Sequence, residues 1–157
     1  MKISDVLSLE LTNCQLSGRS KKRVLENISQ LLAAQLGSGG EQSDRLLDNF
    51  VAREKLGSTG LGNGVAIPHC RTQGVKKIHG CITKLATPVD FDAVDDQPVD
   101  LVFALVVPEE KNDEHLCTLA RIATIMQDED SRQLLRQCNS DQQLFDTLIK
   151  LERTKRS

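Results

Sequence analysis

A glycine-rich segment, REKLGSTGLGNGVAIPHC, runs from Arg53 to Cys70 and contains a histidine, His69, next to its end. Glycines permit tight turns and a close approach of the main chain to a bound group, and such loops often hold phosphate through their N–H groups. The segment matches neither common nucleotide-binding signature, because Asn63 stands where a P-loop has lysine and Gly60-Leu-Gly62 lacks the third glycine of a dinucleotide loop. Most glycine-rich turns are simple connections, so composition leaves both a phosphate-binding loop and a tight connection open.

His69 follows Pro68 at the end of a short apolar segment, a position from which a side chain can face a cleft. A neutral imidazole, with an ordinary pKa of about 6.5, is a usable nucleophile at neutral pH, and a hydrogen bond to its other nitrogen fixes the tautomer. The alternative is a structural histidine whose hydrogen bonds are satisfied.

Two other kinds of chemistry are disfavoured. A metal site built from His69, Cys70, His79 and Cys81 fits no zinc-ligand spacing, and no H-E-x-x-H motif is present. Cysteine catalysis at Cys70 lacks an identifiable residue to orient the neighbouring histidine.

The composition is that of an ordinary globular domain. The 157 residues fit one core, and hydrophobic and charged residues make up 39% and 27% of the chain. A net charge of −2 argues against a surface that binds nucleic-acid phosphates. No apolar run approaches the ~20 residues of a membrane span, and five cysteines without a C-x-x-C pair indicate reduced thiols. We therefore expect a cytoplasmic protein.

Apolar periodicity predicts the elements that position the glycine-rich segment. Helical spacing is found over 20–36, 41–55, 131–138 and 141–151, and Asn112 or Asp113 can begin a further helix. Strand-like segments span 65–68, 80–85 and 99–107, and the last is apolar on both faces, as in the middle strand of a covered sheet. Arg53 then lies in the last turn of one helix and His115 in the first turn of another.

This order of elements predicts a single-domain α/β sandwich. A central mixed β-sheet of about five strands is expected, flanked by helices on both faces, with helices at both ends of the chain. The domain is expected to span 1–157, with a core of about 3–152.

The run from Arg53 to His69 resembles the active-site segment of the enzyme IIA domains of the mannitol/fructose class in the phosphoenolpyruvate-dependent phosphotransferase system, and most of all their nitrogen-regulatory members. The resemblance continues through 98–108, 114–123 and 140–145, so it covers nearly the whole chain.

The resemblance implies a phosphohistidine carrier without a cofactor or metal. His69 would accept a phosphoryl group from an HPr-like protein charged from phosphoenolpyruvate, and Arg53 and His115 would stabilise that group. The implied phosphate-approach loop comprises Gly57, Ser58, Thr59, Gly60, Gly62, Asn63 and Gly64. His79 matches no site position and is interpreted as structural. Cys70 stands where related proteins often have glycine or alanine, which raises the hypothesis that oxidation of its thiol affects the site.

Three functions remain as alternatives within this frame. The resemblance favours a regulator of nitrogen- and potassium-related metabolism whose two phosphorylation states are recognised by targets such as potassium transport or sensor proteins. The second is a sugar-transport IIA that passes the phosphoryl group to a IIB protein. The third is a binding module without phosphotransfer, and a metal hydrolase is more remote.

Overall fold

The structure, a computed structural model, describes residues 2–36, 40–109 and 114–154. After a short 3-10 helix at Ile3–Asp5, the strands are β1 (Leu7–Leu16), β2 (Gly60–Gly62), β3 (Val65–Ala66), β4 (His69–Thr72), β5 (His79–Val89) and β6 (Val99–Pro108). The helices are α1 (Lys21–Gln35), α2 (Gly40–Lys55), α3 (Glu114–Gln127), α4 (Glu129–Arg136) and α5 (Asp141–Thr154). The candidate helix starts Asn112 and Asp113 lie outside the described residues.

The mixed sheet is organised around β6. The strand order is β1-β5-β6-β3-β2, and β4 also pairs with β6. β5 is antiparallel to β6, whereas β3 and β4 are parallel to it. Apart from Asp100 and the terminal Pro108, every residue of β6 is buried, as expected of a strand that is covered on both faces. The predicted middle strand and the predicted α/β sandwich are confirmed, with six described strands rather than about five.

The N-terminal end of the chain differs from the prediction, because the edge strand β1 precedes the first predicted helix. Pairing between β1 and β5 contains two register shifts, which break the two-residue period expected of a strand. As a result Leu9 and Glu10 are both exposed, while Leu11 and Thr12 are both buried. This irregular pattern hides the strand from a search for simple alternation.

Two short strands bring the glycine-rich segment to β6. β3 pairs with Leu101 and Val102, and β4 pairs with the stretch from Leu105 to Pro108, so the two lie one after the other along the same partner. The main chain between them stays attached to β6, because the N–H of Leu105 donates to the carbonyl of Pro68 at 2.9 Å. His69 is thereby fixed at the start of β4, close to the end of the central strand.

The helices form the outer layers of the sandwich. α1 packs against α2, α2 lies over β4, and α5 packs against β1. None of the described helices is long and apolar enough to span a membrane.

Candidate functional site

An open pocket of about 340 Å³ lies where the end of α2, strand β4, the end of β6 and the start of α3 meet. Its walls contain Arg53, His69 and His115, so the fold brings together three residues that are far apart in the sequence. The remaining lining residues are Asn49, Ala52, Leu56, Cys70, Arg71 and Val107.

His69 is held by a main-chain hydrogen bond. Its Nδ1 lies 2.9 Å from the carbonyl oxygen of Ile67. Because a carbonyl can only accept, Nδ1 carries the hydrogen and Nε2 of the neutral ring keeps its lone pair. Burial lowers the pKa of His69 below the ordinary 6.5, and the charges of Arg53 and His115 lower it further, against the bond to Ile67 and the charge of Glu54. The ring is therefore neutral at pH 7 and has one free nitrogen for attack.

Arg53 occupies the last turn of α2, as predicted. Its Nη1 donates to the carbonyl of Gly57 at 2.9 Å, which fixes the guanidinium against the turn that follows the helix. The other guanidinium N–H groups have no partner among the described residues, so they are available to an anion.

His115 lies in the first turn of α3. Its Nδ1 is buried and has no hydrogen-bond partner within the described part of the chain. A buried polar atom without a partner is costly, and a ligand in the pocket can supply one. The N-terminus of α3 also favours negative charge nearby.

Arg71 and Asn49 also line the pocket, and sequence reasoning missed both. Alternation along β4 places His69 and Arg71 on one face and the buried Cys70 and Thr72 on the other, so the two-residue period from His69 could have identified Arg71. Arg71 is exposed, and its Nη1 lies 3.5 Å from the carbonyl of Pro108. Asn49 precedes Arg53 by one helical turn, and its Nδ2 donates to Thr72 Oγ1 at 3.0 Å.

The side chains and main chain of the predicted phosphate-approach loop are engaged elsewhere. Ser58 Oγ donates to the carbonyl of Phe91, and Thr59 Oγ1 donates to the carboxylate of Glu54. None of the segment 57–64 lines the pocket. In addition to the pairing of β2 with β3, the main-chain N–H groups of Gly57, Thr59, Gly60 and Asn63 donate to other protein atoms. The segment contacts the pocket residue Arg53 through the carbonyl of Gly57, and its direct contact with phosphate stays a prediction.

The thiol of Cys70 is buried between the pocket and the core. Burial raises its pKa to about 12, although Thr72 Oγ1, 3.7 Å away, partly opposes the shift. The thiolate is the form that reacts with oxidants, so this environment argues against the hypothesis of an oxidation-sensitive Cys70. Among the described residues, no group of three or more histidine, cysteine, aspartate or glutamate side chains could hold a metal ion.

One pocket of this mixed α/β sandwich thus contains a neutral histidine, an arginine with N–H groups to spare and an imidazole whose Nδ1 has no partner among the described residues, a combination suited to binding phosphoryl groups. A model of the family described as "Phosphoenolpyruvate-dependent sugar phosphotransferase system, EIIA 2" matches residues 5–151. The chain therefore belongs to this enzyme IIA family, which supports a role as a phosphocarrier and phosphotransfer component.

Individual relatives agree with this membership. The chain is 41% identical over 152 residues to a nitrogen regulatory protein of Pseudomonas aeruginosa, and 97% of each chain is covered. It is 32% identical over 149 residues to a fructose-specific EIIA component of Haloferax volcanii, covering 95% of this chain and 96% of that protein. The crystal structure of the nitrogen regulatory protein IIA-Ntr from Neisseria meningitidis superimposes with a TM-score of 0.84 at 38% identity, covering 93% of this chain and 98% of that one.

Proposed function

We propose that the protein is a phosphohistidine carrier in which Nε2 of His69 accepts a phosphoryl group from an HPr-like protein, ultimately from phosphoenolpyruvate. The observation that carries the proposal is the hydrogen bond from His69 Nδ1 to the Ile67 carbonyl, in a pocket that also contains Arg53 and His115. That bond leaves Nε2 as the ring nitrogen with a free lone pair.

The transfer step requires no proton to leave the ring. The Nε2 lone pair of His69 attacks the phosphorus of the donor phosphohistidine, the N–P bond of the donor breaks, and its electron pair returns to the donor imidazole. The hydrogen on Nδ1 of His69 stays in place, so the phosphorylated ring is cationic, and a donor ring that carries a hydrogen on its other nitrogen ends neutral. The hydrogen bond from His69 Nδ1 to the Ile67 carbonyl then comes from a cationic ring, and this charge strengthens the bond.

Arg53 and His115 stabilise the charge on the three equatorial oxygens of the transferring group. Phosphoryl transfer depends mainly on positioning and electrostatic stabilisation, so a fixed cation and a hydrogen-bond donor suit it. The free N–H groups of Arg53 can bind two phosphate oxygens. The predicted approach of Gly57, Ser58, Thr59, Gly60, Gly62, Asn63 and Gly64 to the phosphoryl group would require some of their internal hydrogen bonds to open.

The surroundings of the pocket suit a protein donor. Leu56 on the rim is 83% exposed, and Leu116, next to His115, is 52% exposed. Apolar side chains beside a charged pocket favour contact with another protein surface over a freely diffusing small anion.

The main role that we propose is regulation of nitrogen- and potassium-related metabolism by the two phosphorylation states, through targets such as potassium transport or sensor proteins. Support comes from relatives named nitrogen regulatory protein at about 40% identity over nearly the full chain. The relative named as a fructose-specific EIIA component supports the second candidate, a sugar-pathway carrier that passes the phosphoryl group to a IIB protein.

The test is intact-mass measurement after incubation with phosphoenolpyruvate, enzyme I and an HPr-like carrier that is shown to phosphorylate another IIA protein. We expect the wild type and a His79→Ala control to gain one acid-labile phosphoryl group, and His69→Ala to gain none. His79 is a matched control because it is also partly buried but does not line the pocket.

Absence of the phosphoryl group from the wild type would contradict the proposal and leave the non-catalytic binding module. If the wild type is phosphorylated, adding a fructose-type IIB protein separates the two roles. Rapid transfer to IIB would favour the sugar pathway, whereas retention of the phosphoryl group on His69 would favour the regulator.

A further inference from the structure

Glu54 is a charged residue beside Arg53 whose carboxylate faces away from the pocket. Its side chain is 6% exposed and pairs with Lys21 Nζ of α1 at 2.9 Å. The same carboxylate accepts two hydrogen bonds from Thr59, from the main-chain N–H at 3.1 Å and from Oγ1 at 2.5 Å. The glycine-rich segment is therefore attached at Thr59 to the end of α2 and the start of α1.

A continuous series of hydrogen bonds leads from this carboxylate to His69. The carbonyl of Thr59 accepts from the N–H of Ile67 at 3.0 Å. The carbonyl of Ile67 in turn accepts from His69 Nδ1 at 2.9 Å. Thr59 and Ile67 each use their main-chain N–H on one side and their carbonyl on the other, so the bonds connect Glu54 with the acceptor that orients the histidine.

Arg53 depends on the same turn. The main-chain carbonyl of Glu54 accepts from the N–H of Gly57 at 3.1 Å, and the carbonyl of Gly57 accepts from Arg53 Nη1 at 2.9 Å. Glu54 is thus connected to both Arg53 and His69. Its main-chain carbonyl leads through Gly57 to Arg53, and its carboxylate leads through Thr59 and Ile67 to His69.

The Glu54 carboxylate is buried, whereas Lys21 keeps 20% of its side chain exposed, and such an ion pair contributes little to stability alone. Removing two charges from water costs free energy that their mutual attraction often fails to recover, so apolar residues of similar size would serve a merely structural role as well. Hydrogen bonds to a charged acceptor do, however, fix geometry more strongly than neutral ones. A carboxylate that is 6% exposed and accepts from both the N–H and the hydroxyl of Thr59 can therefore fix the position of that residue.

We propose that Glu54 is a positioning residue that, through Thr59 and Ile67, holds His69 in the Nδ1–H tautomer and in the orientation required for attack by Nε2. The proposal deepens the phosphocarrier function and rests on it for its kinetic consequence. Its structural consequence, the tautomer of the unphosphorylated ring, can be measured independently.

The experiment compares Glu54→Gln, Thr59→Val and Thr59→Ser with a Glu26→Gln control, in the full chain. Glu26 also pairs with an arginine, Arg23, but on the solvent side of α1. Nitrogen-15 NMR of the imidazole reports the tautomer of His69, and intact mass over time reports the rate of phosphoryl acceptance. Circular dichroism establishes that each variant is folded.

We expect the wild type, Thr59→Ser and Glu26→Gln to show the Nδ1–H tautomer, and the wild type and Glu26→Gln to accept the phosphoryl group at similar rates. Glu54→Gln removes the charge and places an amide group beside Lys21 or Thr59, and Thr59→Val removes the hydroxyl. Both should show a mixture of tautomers and accept the phosphoryl group about tenfold more slowly, because a misplaced nucleophile loses the benefit of orientation.

Folded Glu54→Gln and Thr59→Val proteins with the Nδ1–H tautomer and rates within about twofold of wild type would overturn the proposal. If Glu54→Gln does not fold, the Thr59→Val and Thr59→Ser pair decides the question alone. Failure of the wild type to accept phosphate would instead contradict the proposed function, while the tautomer comparison would still test the positioning role.

Discussion

At His69, the surroundings keep the imidazole neutral. Burial makes the largest contribution to its lowered pKa, and the cation of Arg53 adds to the effect. Since the folded-state pKa lies below 6.5, the unfolded chain binds a proton first as the pH falls. The contribution of His69 to stability is therefore fully present above about pH 6.5 and is lost as the pH falls through the folded-state pKa. The pKa of His79 is also lowered mainly by burial, so its contribution to stability is likewise lost as the pH falls.

Replacing Arg53 tests this account of the pKa. In Arg53→Gln the nearby positive charge is absent, so the pKa of His69 should rise toward its ordinary value, as measured by an NMR titration of the ring. In the wild type, phosphoryl acceptance should stay constant as the pH falls through 6.5 and decline only below it.

Lys55→Gln is the matched control, since Lys55 is an exposed cation in the same last turn of α2. Its His69 titration should coincide with that of the wild type. An unchanged His69 pKa in Arg53→Gln would show that the charge of Arg53 does not contribute to the shift.

At the scale of elements, the β2–β3 hairpin is attached to α4 by Arg136. The guanidinium binds both carboxylate oxygens of Asp100 on β6, with Nε 2.8 Å from Oδ2 and Nη2 2.9 Å from Oδ1. Nη2 also donates to the carbonyl of Asn63 at 2.6 Å. Gly64 must be glycine here, because its φ is +79° and a Cβ would overlap the guanidinium and lie 2.8 Å from Asp100 Oδ1.

A comparison of alanine substitutions at Gly64 and Gly74 separates the cost of backbone strain from the cost of displacing the Arg136–Asp100 ion pair. Gly64→Ala should lower the free energy of unfolding by about 2–4 kcal/mol, since it adds strain at positive φ to a disturbed bidentate pair. Gly74→Ala, with φ of +82° and open space around the new Cβ, should lose only about 1 kcal/mol. Urea denaturation measures both, and equal losses would mean that Arg136 moves aside without cost.

The sequence predicted those elements whose signals are local. β6 was predictable because it is apolar on both faces, and the end of α2 because Gly57 follows it with positive φ. The edge strand β1 was not, since its register shifts disturb the alternation. Arg53, His69 and His115 were assigned from a family resemblance, whereas Asn49 enters the pocket through the packing of α2 over β4, which residue spacing alone does not reveal.

At the scale of the molecule, Glu152 joins the two ends of the described chain. This α5 residue is 6% exposed, and its carboxylate accepts from the N–H of Ile3 at 2.5 Å and of Ser4 at 3.3 Å. Ile3 is fully buried, so the short 3-10 helix is part of the core. Edge strand β1, which follows it, is thereby anchored at its start.

Loss of this anchor should reduce global stability without affecting the pocket. Glu152→Gln removes a charged acceptor and should lower the free energy of unfolding by about 1–3 kcal/mol, because an N–H of the buried 3-10 helix loses its partner. The exposed residue Glu129 provides the control, and Glu129→Gln should change little. Urea denaturation followed by circular dichroism measures the difference, and a loss equal to that of the control would mean that the 3-10 helix is not part of the cooperative unit.

The acceptor that orients His69 is a main-chain atom, the carbonyl oxygen of Ile67. Every amino acid provides that oxygen, so the tautomer is insulated from mutation of the side chain at this position as long as the core accommodates the change. If the acceptor for His69 Nδ1 were a side chain, by contrast, a single amino-acid substitution could remove it. A change of side chain at position 67 therefore leaves the tautomer of His69 intact, whereas a change that moves the main chain there, such as loss of the bonds between Glu54 and Thr59, does not.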